Sequence, residues 1–216
     1  MNRNNIHRAT LSMAIALTTG TNALASGIDI QAGQTVSLSG ITADMDPLLP
    51  GTVVEDLLQE FVIGDPAGNA LVGTLQSRVS VRHDTGQINL YWRIRDLSGP
   101  SVQISSIVIS GFEGWSVGVE WRIDGSGDIG PSDAIRTADD NSIGYLFAGP
   151  ALMTPDESKF CLASTEAFDY ALTGTARINL LSGESITLAT WAPAVPAPGA
   201  MGMLGVTALA AARRRR

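Results

Sequence analysis

His83 and Cys161 are the scarce reactive side chains of this 216-residue chain. The other histidine, His7, falls in an N-terminal stretch with the look of a leader, so His83 is the sole imidazole of the body and Cys161 the sole thiol. A hydrolytic relay needs a serine nucleophile, an imidazole base and a carboxylate that orients it. Asp84 follows His83 and serines are plentiful, but no Gly-x-Ser-x-Gly elbow presents one of them. One histidine and one cysteine also fall short of the common zinc sets. A glycosidase pair is defined by distance in space, and no spacing among the 21 acidic residues marks one. These residues therefore predict a solvated His83 at a hairpin turn, a buried apolar Cys161 and no catalytic residues. A lone cysteine forms no intrachain disulfide.

Two other groupings have chemical content. Asp124, Asp128 and Asp133, with Asp139, Asp140 and Asn141 beyond, place hard oxygen ligands in glycine-rich backbone, as calcium requires. Their spacing departs from the EF-hand register, and the same letters also compose an ordinary solvated connection. The second grouping is cationic. Arg78, Arg82, Arg93 and Arg95 all occupy polar positions of an alternating pattern, which predicts that they share the outer face of one hairpin with Tyr91. Such a stripe suits acidic sugars or a carboxylated matrix polymer. The competing expectation is that Glu120 and other acids on neighbouring strands pair with the arginines.

The elements that must position these groups follow from period two. Leu75, Val79 and Val81, then the turn Asp84-Thr85-Gly86, then Ile88, Leu90, Trp92 and Ile94 describe a hairpin with one buried face. Val102 to Phe112 is strand-like, but its apolar parity switches at Ser105-Ser106, which predicts a bulge. Trp115 to Ile123 alternates cleanly. Further strands are expected near Thr35–Ile41, Leu57–Gly64, Ile143–Phe147, Lys159–Ala163, Thr175–Leu180 and Ile186–Trp191, with turn residues between them. Short strands at this spacing, without a long amphipathic helix, predict an antiparallel β-sandwich, Ig-like or jelly-roll.

The two ends have a different composition. Arg3 and Arg8, the apolar run Leu11–Leu17 and the small-x-small site Ala23-Leu24-Ala25 before Ser26 form a secretory signal over residues 1–25. At the other end, Val195-Pro196-Ala197-Pro198-Gly199 precedes an apolar run from Ala200 to Ala212 and the cluster Arg213, Arg214, Arg215 and Arg216. The 13-residue run spans roughly 20 Å as a helix, short of a hydrocarbon core of about 30 Å. This predicts a transient membrane anchor, with the arginines held on the cytoplasmic side. The expected organisation is a signal peptide (1–25), a β-sandwich (26–191), a Pro-rich spacer (192–199) and a single sorting helix with its Arg tail (200–216).

Of 14 basic and 21 acidic residues, six arginines belong to the ends, so the body keeps 8 against 21. So acidic a body favours solubility and disfavours nucleic acid as a partner.

The Pro-x-Pro head, Gly/Ala/Leu-rich helix and terminal arginine cluster resemble the PEP-CTERM sorting signal, with Ala197 where glutamate commonly stands. The resemblance implies that an exosortase reads and cuts the tail. More loosely, GTLQSRVSVRHDTGQINLYWRI, SIVISGF and SKFCLASTEAFDYALTGTARI, ending in Trp-Ala-Pro, are similar to the bodies of one group of PEP-CTERM proteins across Leu57–Pro193. That implies an all-β secreted body with no assigned activity. The expectation is a secreted, exosortase-sorted protein of the cell envelope or extracellular matrix with a structural or binding role. The alternatives are a carbohydrate-binding module for extracellular polysaccharide and a secreted hydrolase.

Overall fold

Val79 sits opposite Leu90, Leu75 opposite Ile94 and Val81 opposite Ile88, so the hairpin registers its apolar residues onto one face. This pairing joins β4 (Leu71–Arg82) to β5 (Ile88–Ser98) in a computed structural model that describes residues 26–64, 70–149 and 151–194. The expected signal sequence with Ala23 and Ala25, the expected sorting residues Val195–Gly199 and the expected helix 200–216 with Arg213–Arg216 lie outside the described residues. The 65–69 turn and Pro150 do so as well. The hairpin closes where Gly86 N–H returns to Arg82 O at 3.1 Å, with Gly86 at φ +74 as such a turn requires.

Among the described residues twelve strands form two six-stranded antiparallel sheets packed as a sandwich. The first runs β1 (Ile28–Asp29), β7 (Val117–Trp121), β10 (Cys161–Thr165), β5, β4 and β3 (Gly51–Ile63). The second runs β12 (Ser185–Pro193), β11 (Tyr170–Leu180), β6 (Ile104–Ser110), β9 (Ser142–Leu146), β8 (Asp133–Arg136) and β2 (Thr35–Ser37). Leu75, Leu90, Trp92, Ile94, Val119 and Ala163 from the first sheet meet Ile107, Ile109, Ile143, Tyr145, Ala176 and Ile178 from the second in one buried core. Polar groups also cross that core. Trp92 Nε1–H donates to Thr190 Oγ1 at 2.7 Å, and Thr190 donates on to Ser77 Oγ at 3.0 Å. Tyr145 O–H donates to Leu162 O.

The parity switch in β6 is a bulge: Asn179 pairs with Ser106 and Leu180 with Ile104, leaving Ser105 without an opposite residue. The extra residue turns Ile104, Ile107 and Ile109 all toward the core. Two boundaries differ from expectation. β12 continues to Pro193, opposite Tyr170, so the first residues of the expected spacer complete a ladder. β8, read only as the end of a loop, pairs with β9 and β2 and carries Arg136 into the interior. Arg136 is buried with its partners supplied: it donates to Ile30 O, Phe112 O and Trp115 O and pairs with Asp140 at 2.8 Å. A cation stripped of water is tolerable only when so supplied.

Candidate functional site

The outer face of the first sheet is covered over β5, β10 and β7, while at β3 it stays open to solvent. Successive rows across β4, β5, β10 and β7 read Ser80–Asn89–Ser164–Gly118 and Arg78–Tyr91–Leu162–Glu120. Over them lies the segment from Gly40 to Pro50, whose Ile41 and Leu49 join Tyr91, Phe160 and Leu162 in a second, smaller apolar cluster. The cover is anchored by Glu120, which accepts the Gly40 N–H at 2.8 Å and the Ser39 N–H at 3.4 Å. Gly40 has φ +79, and a Cβ there would come within 2.7 Å of the Trp121 ring, so only glycine lets the segment pass this close.

This cover corrects the expected cationic stripe. Arg82 is 1 % exposed; it donates to Gln87 Oε1 at 3.1 Å and pairs with Asp84 at 3.2 Å. Tyr91 is 5 % exposed and packs edge-on against Phe160 at 6.2 Å, so it offers no exposed aromatic platform. The alternation assigns both to the outer face; the remote 40–50 segment then buries Tyr91, while Asp84 and Gln87 of its own turn take up Arg82. The expected partner Glu120 is also corrected, since its oxygens take backbone N–H groups of the cover. Other carboxylates neutralise the arginines. Arg78 meets Asp56 on β3 at 2.7 Å, Arg95 meets Asp96 at 2.9 Å, and Arg93 meets Glu157. Arg78 and Arg93 both stack on Phe160, at 4.7 and 5.7 Å from its centroid.

Where the cover ends, the face opens into a cleft of about 350 Å³. Leu49, Pro50 and Gly51 form one wall and Arg122, Asp124, Gly125 and Ser126 the other, with Arg78, Ser80, Tyr91 and Phe160 at the base. A Cβ at Gly51 would meet Ser80 Oγ at 2.5 Å, so the wall at that point is bare backbone. Arg122 is gripped by Asp124 through Nε at 2.7 Å and Nη2 at 2.8 Å. That hydrogen bond holds the Asp124 carboxyl below the ordinary carboxylate value and raises the Arg122 guanidinium. Burial pushes the Tyr91 phenol up, opposed by the positive charge of Arg122. Burial also works to raise Asp56, but the hydrogen bonds from Arg78 and Gln76 bring it below its usual value.

The three aspartates of the expected calcium loop are not brought together. Asp124 holds Arg122; Asp128 accepts the Glu157 N–H at 3.0 Å; Asp133, at the start of β8, accepts the hydroxyls of Ser37 and Ser132. Among the described residues no group of three or more histidine, cysteine, aspartate or glutamate side chains is arranged to hold a metal ion. His83 is exposed with Nε2 3.1 Å from Thr52 Oγ1, while Asp84 turns to Arg82. Cys161 lies in the core, where burial pushes its thiol well up. No local pattern in the sequence marks Arg122, Phe160 or Leu49 as members of a site. The apolar pair Leu48-Leu49 before Pro50, in a stretch too short for a strand, was the one signal that this connection would cover something.

The fold and site define an all-β sandwich with an open polar cleft on the outer face of one sheet. Set against protein-family models, curated proteins and solved structures, the chain matches none of them. Among the described residues no helix is long and apolar enough to cross a membrane.

Proposed function

We propose that this chain is a secreted, exosortase-sorted protein of the cell envelope or extracellular matrix, and that its β body binds acidic saccharide units of an extracellular polysaccharide in the cleft. The ends of the sequence support the first half: a secretory signal before Ser26, and a Pro-Ala-Pro-Gly head, apolar run and arginine cluster from Val195 to Arg216. The helix 200–216 holds the protein in the membrane until an exosortase cuts at the head. Within the sandwich class we read the topology as a jelly-roll. The chain passes between the sheets at β1–β2, β2–β3, β5–β6, β6–β7, β7–β8, β9–β10 and β10–β11, the repeated crossing of linked Greek keys.

The observation that carries the binding half is the pair Arg78 and Arg122 lining an open cleft, on a body with 8 basic and 21 acidic residues. Each guanidinium gives only part of its donors to Asp56 or Asp124, and the N–H groups left over, beside Ser80 and Ser126, match a carboxylated sugar. The cleft favours binding over glycoside hydrolysis because Asp124 is the only carboxylate among the residues lining it. Hydrolysis needs two carboxylates across the bond. Titrating the protein with oligo-uronates and neutral oligosaccharides of the same length tests this reading. Saturable binding of the uronates, weakened at least about tenfold by Arg122→Ala, is expected. Equal binding of both sets, or none, would overturn it.

A further inference from the structure

Ser26 is 1 % exposed although it stands at the edge of the body. Its backbone N–H donates to Ser164 Oγ at 3.0 Å and its hydroxyl to Asp46 Oδ2 at 2.5 Å; the Gly27 N–H reaches the same carboxylate oxygen at 3.3 Å. Asp46 Oδ1 accepts the Leu48 N–H at 2.9 Å, so this carboxylate ties the start of the body to the segment covering the sheet. Ser164 points outward from β10, and its register neighbour on β5 is Asn89. Asn89 is 0 % exposed, and among the described residues neither its Oδ1 nor its Nδ2 makes a hydrogen bond of ordinary geometry, with the Tyr91 phenol as a polar neighbour on the same face. A buried polar group without a partner is unfavourable, and such a group points to a missing partner.

An amide nitrogen at position 26 carries one hydrogen, already given to Ser164. An α-ammonium there carries three, and a positive charge. We propose that the outer-face pocket of Ser164, Asn89 and Asp46 is built for the α-ammonium group of Ser26 that signal cleavage creates. This rests on the secretory reading of residues 1–25. Hydrolysis of the Ala25–Ser26 peptide bond consumes one water; the acyl carbon keeps the hydroxyl oxygen as a carboxylate on Ala25, and the nitrogen takes both hydrogens to become the ammonium of Ser26. One N–H then keeps Ser164 Oγ, a second donates to Asn89 Oδ1, and the Asp46 carboxylate balances the charge. Maturation thereby fastens the first residues of the body, and through Asp46 the cover over the cleft base, to the sheet.

The chain suits a direct test, because Lys159 is its only lysine and the processed protein has two amines in all. Protein recovered from its own cells is acetylated with a limiting N-hydroxysuccinimide ester, native and in urea, and both sites are read by peptide mass. The expected result is a Ser26 α-amine labelled at least about tenfold more slowly in the native protein than in urea. Asp46→Asn and Asn89→Ala should each restore labelling. Native labelling as fast as in urea overturns the pocket while leaving the secretory reading standing. An amino terminus other than Ser26 overturns the proposal together with the assigned cleavage site.

Discussion

The guanidinium carbon of Arg78 lies 4.7 Å from the centroid of the Phe160 ring, and this stacked pair forms the base of the cleft. Phe160 meets Tyr91 edge-on from another side and takes Arg93 as a second cation. It is thus the side chain on which the outer-face cluster rests, although it belongs to no strand. Truncating it removes the aromatic support of both cations and opens a void beneath Leu49. Phe160→Ala should cost about 3 kcal/mol, read as a lowered denaturant midpoint at unchanged slope. A loss under about 1 kcal/mol would show that the cover contributes little to stability.

The hydrogen-bond chain from Trp92 through Thr190 to Ser77 crosses the core between the two sheets. Thr190→Val preserves shape but strands the Trp92 indole N–H and leaves Ser77 without its donor. About 1–3 kcal/mol should be lost. Ser77→Ala removes only the terminal acceptor, and should cost less than Thr190→Val in the same denaturation assay.

Asp56 and Asp124 both have carboxyl pKa values below the ordinary one, the first by Arg78 and Gln76 overcoming its burial, the second by Arg122. A carboxyl depressed in the folded state binds fewer protons there than in the unfolded chain. Its contribution is therefore complete above the unfolded value of about 3.9 and is lost as pH falls through the lower folded value. Thermal midpoints should accordingly fall below about pH 4. Asp124→Asn should flatten that fall; a variant as acid-sensitive as the parent would place the titration elsewhere.

Much of the fold was legible because burial on a sheet writes itself in alternate residues. The β4–β5 hairpin, its turn at Gly86 and the bulge at Ser105 follow from the parity of Val79, Leu90, Ile104 and Ile107. Parity says which face a side chain takes, but it does not say what covers that face. Arg82 and Tyr91 share the expected face with Arg78; Tyr91 loses its exposure to a segment more than forty residues upstream, and Arg82 to Asp84 and Gln87 of its own turn. β8 was missed because Asp133-Ala134-Ile135-Arg136 ends in a buried arginine whose partners, Ile30, Phe112 and Trp115, come from separate parts of the chain. Asn89 looked like one more polar outward position, and its burial depends on three-dimensional neighbours that no local pattern encodes.

The intact mass of the protein, recovered separately from envelope and medium of its own cells, measures the handling of both ends at once. The predicted species begins at Ser26 and ends within Pro196–Gly199, with or without added mass at the new carboxyl end. A species that keeps Arg216 would contradict exosortase sorting, and one that keeps Met1 would contradict secretion through a cleaved signal.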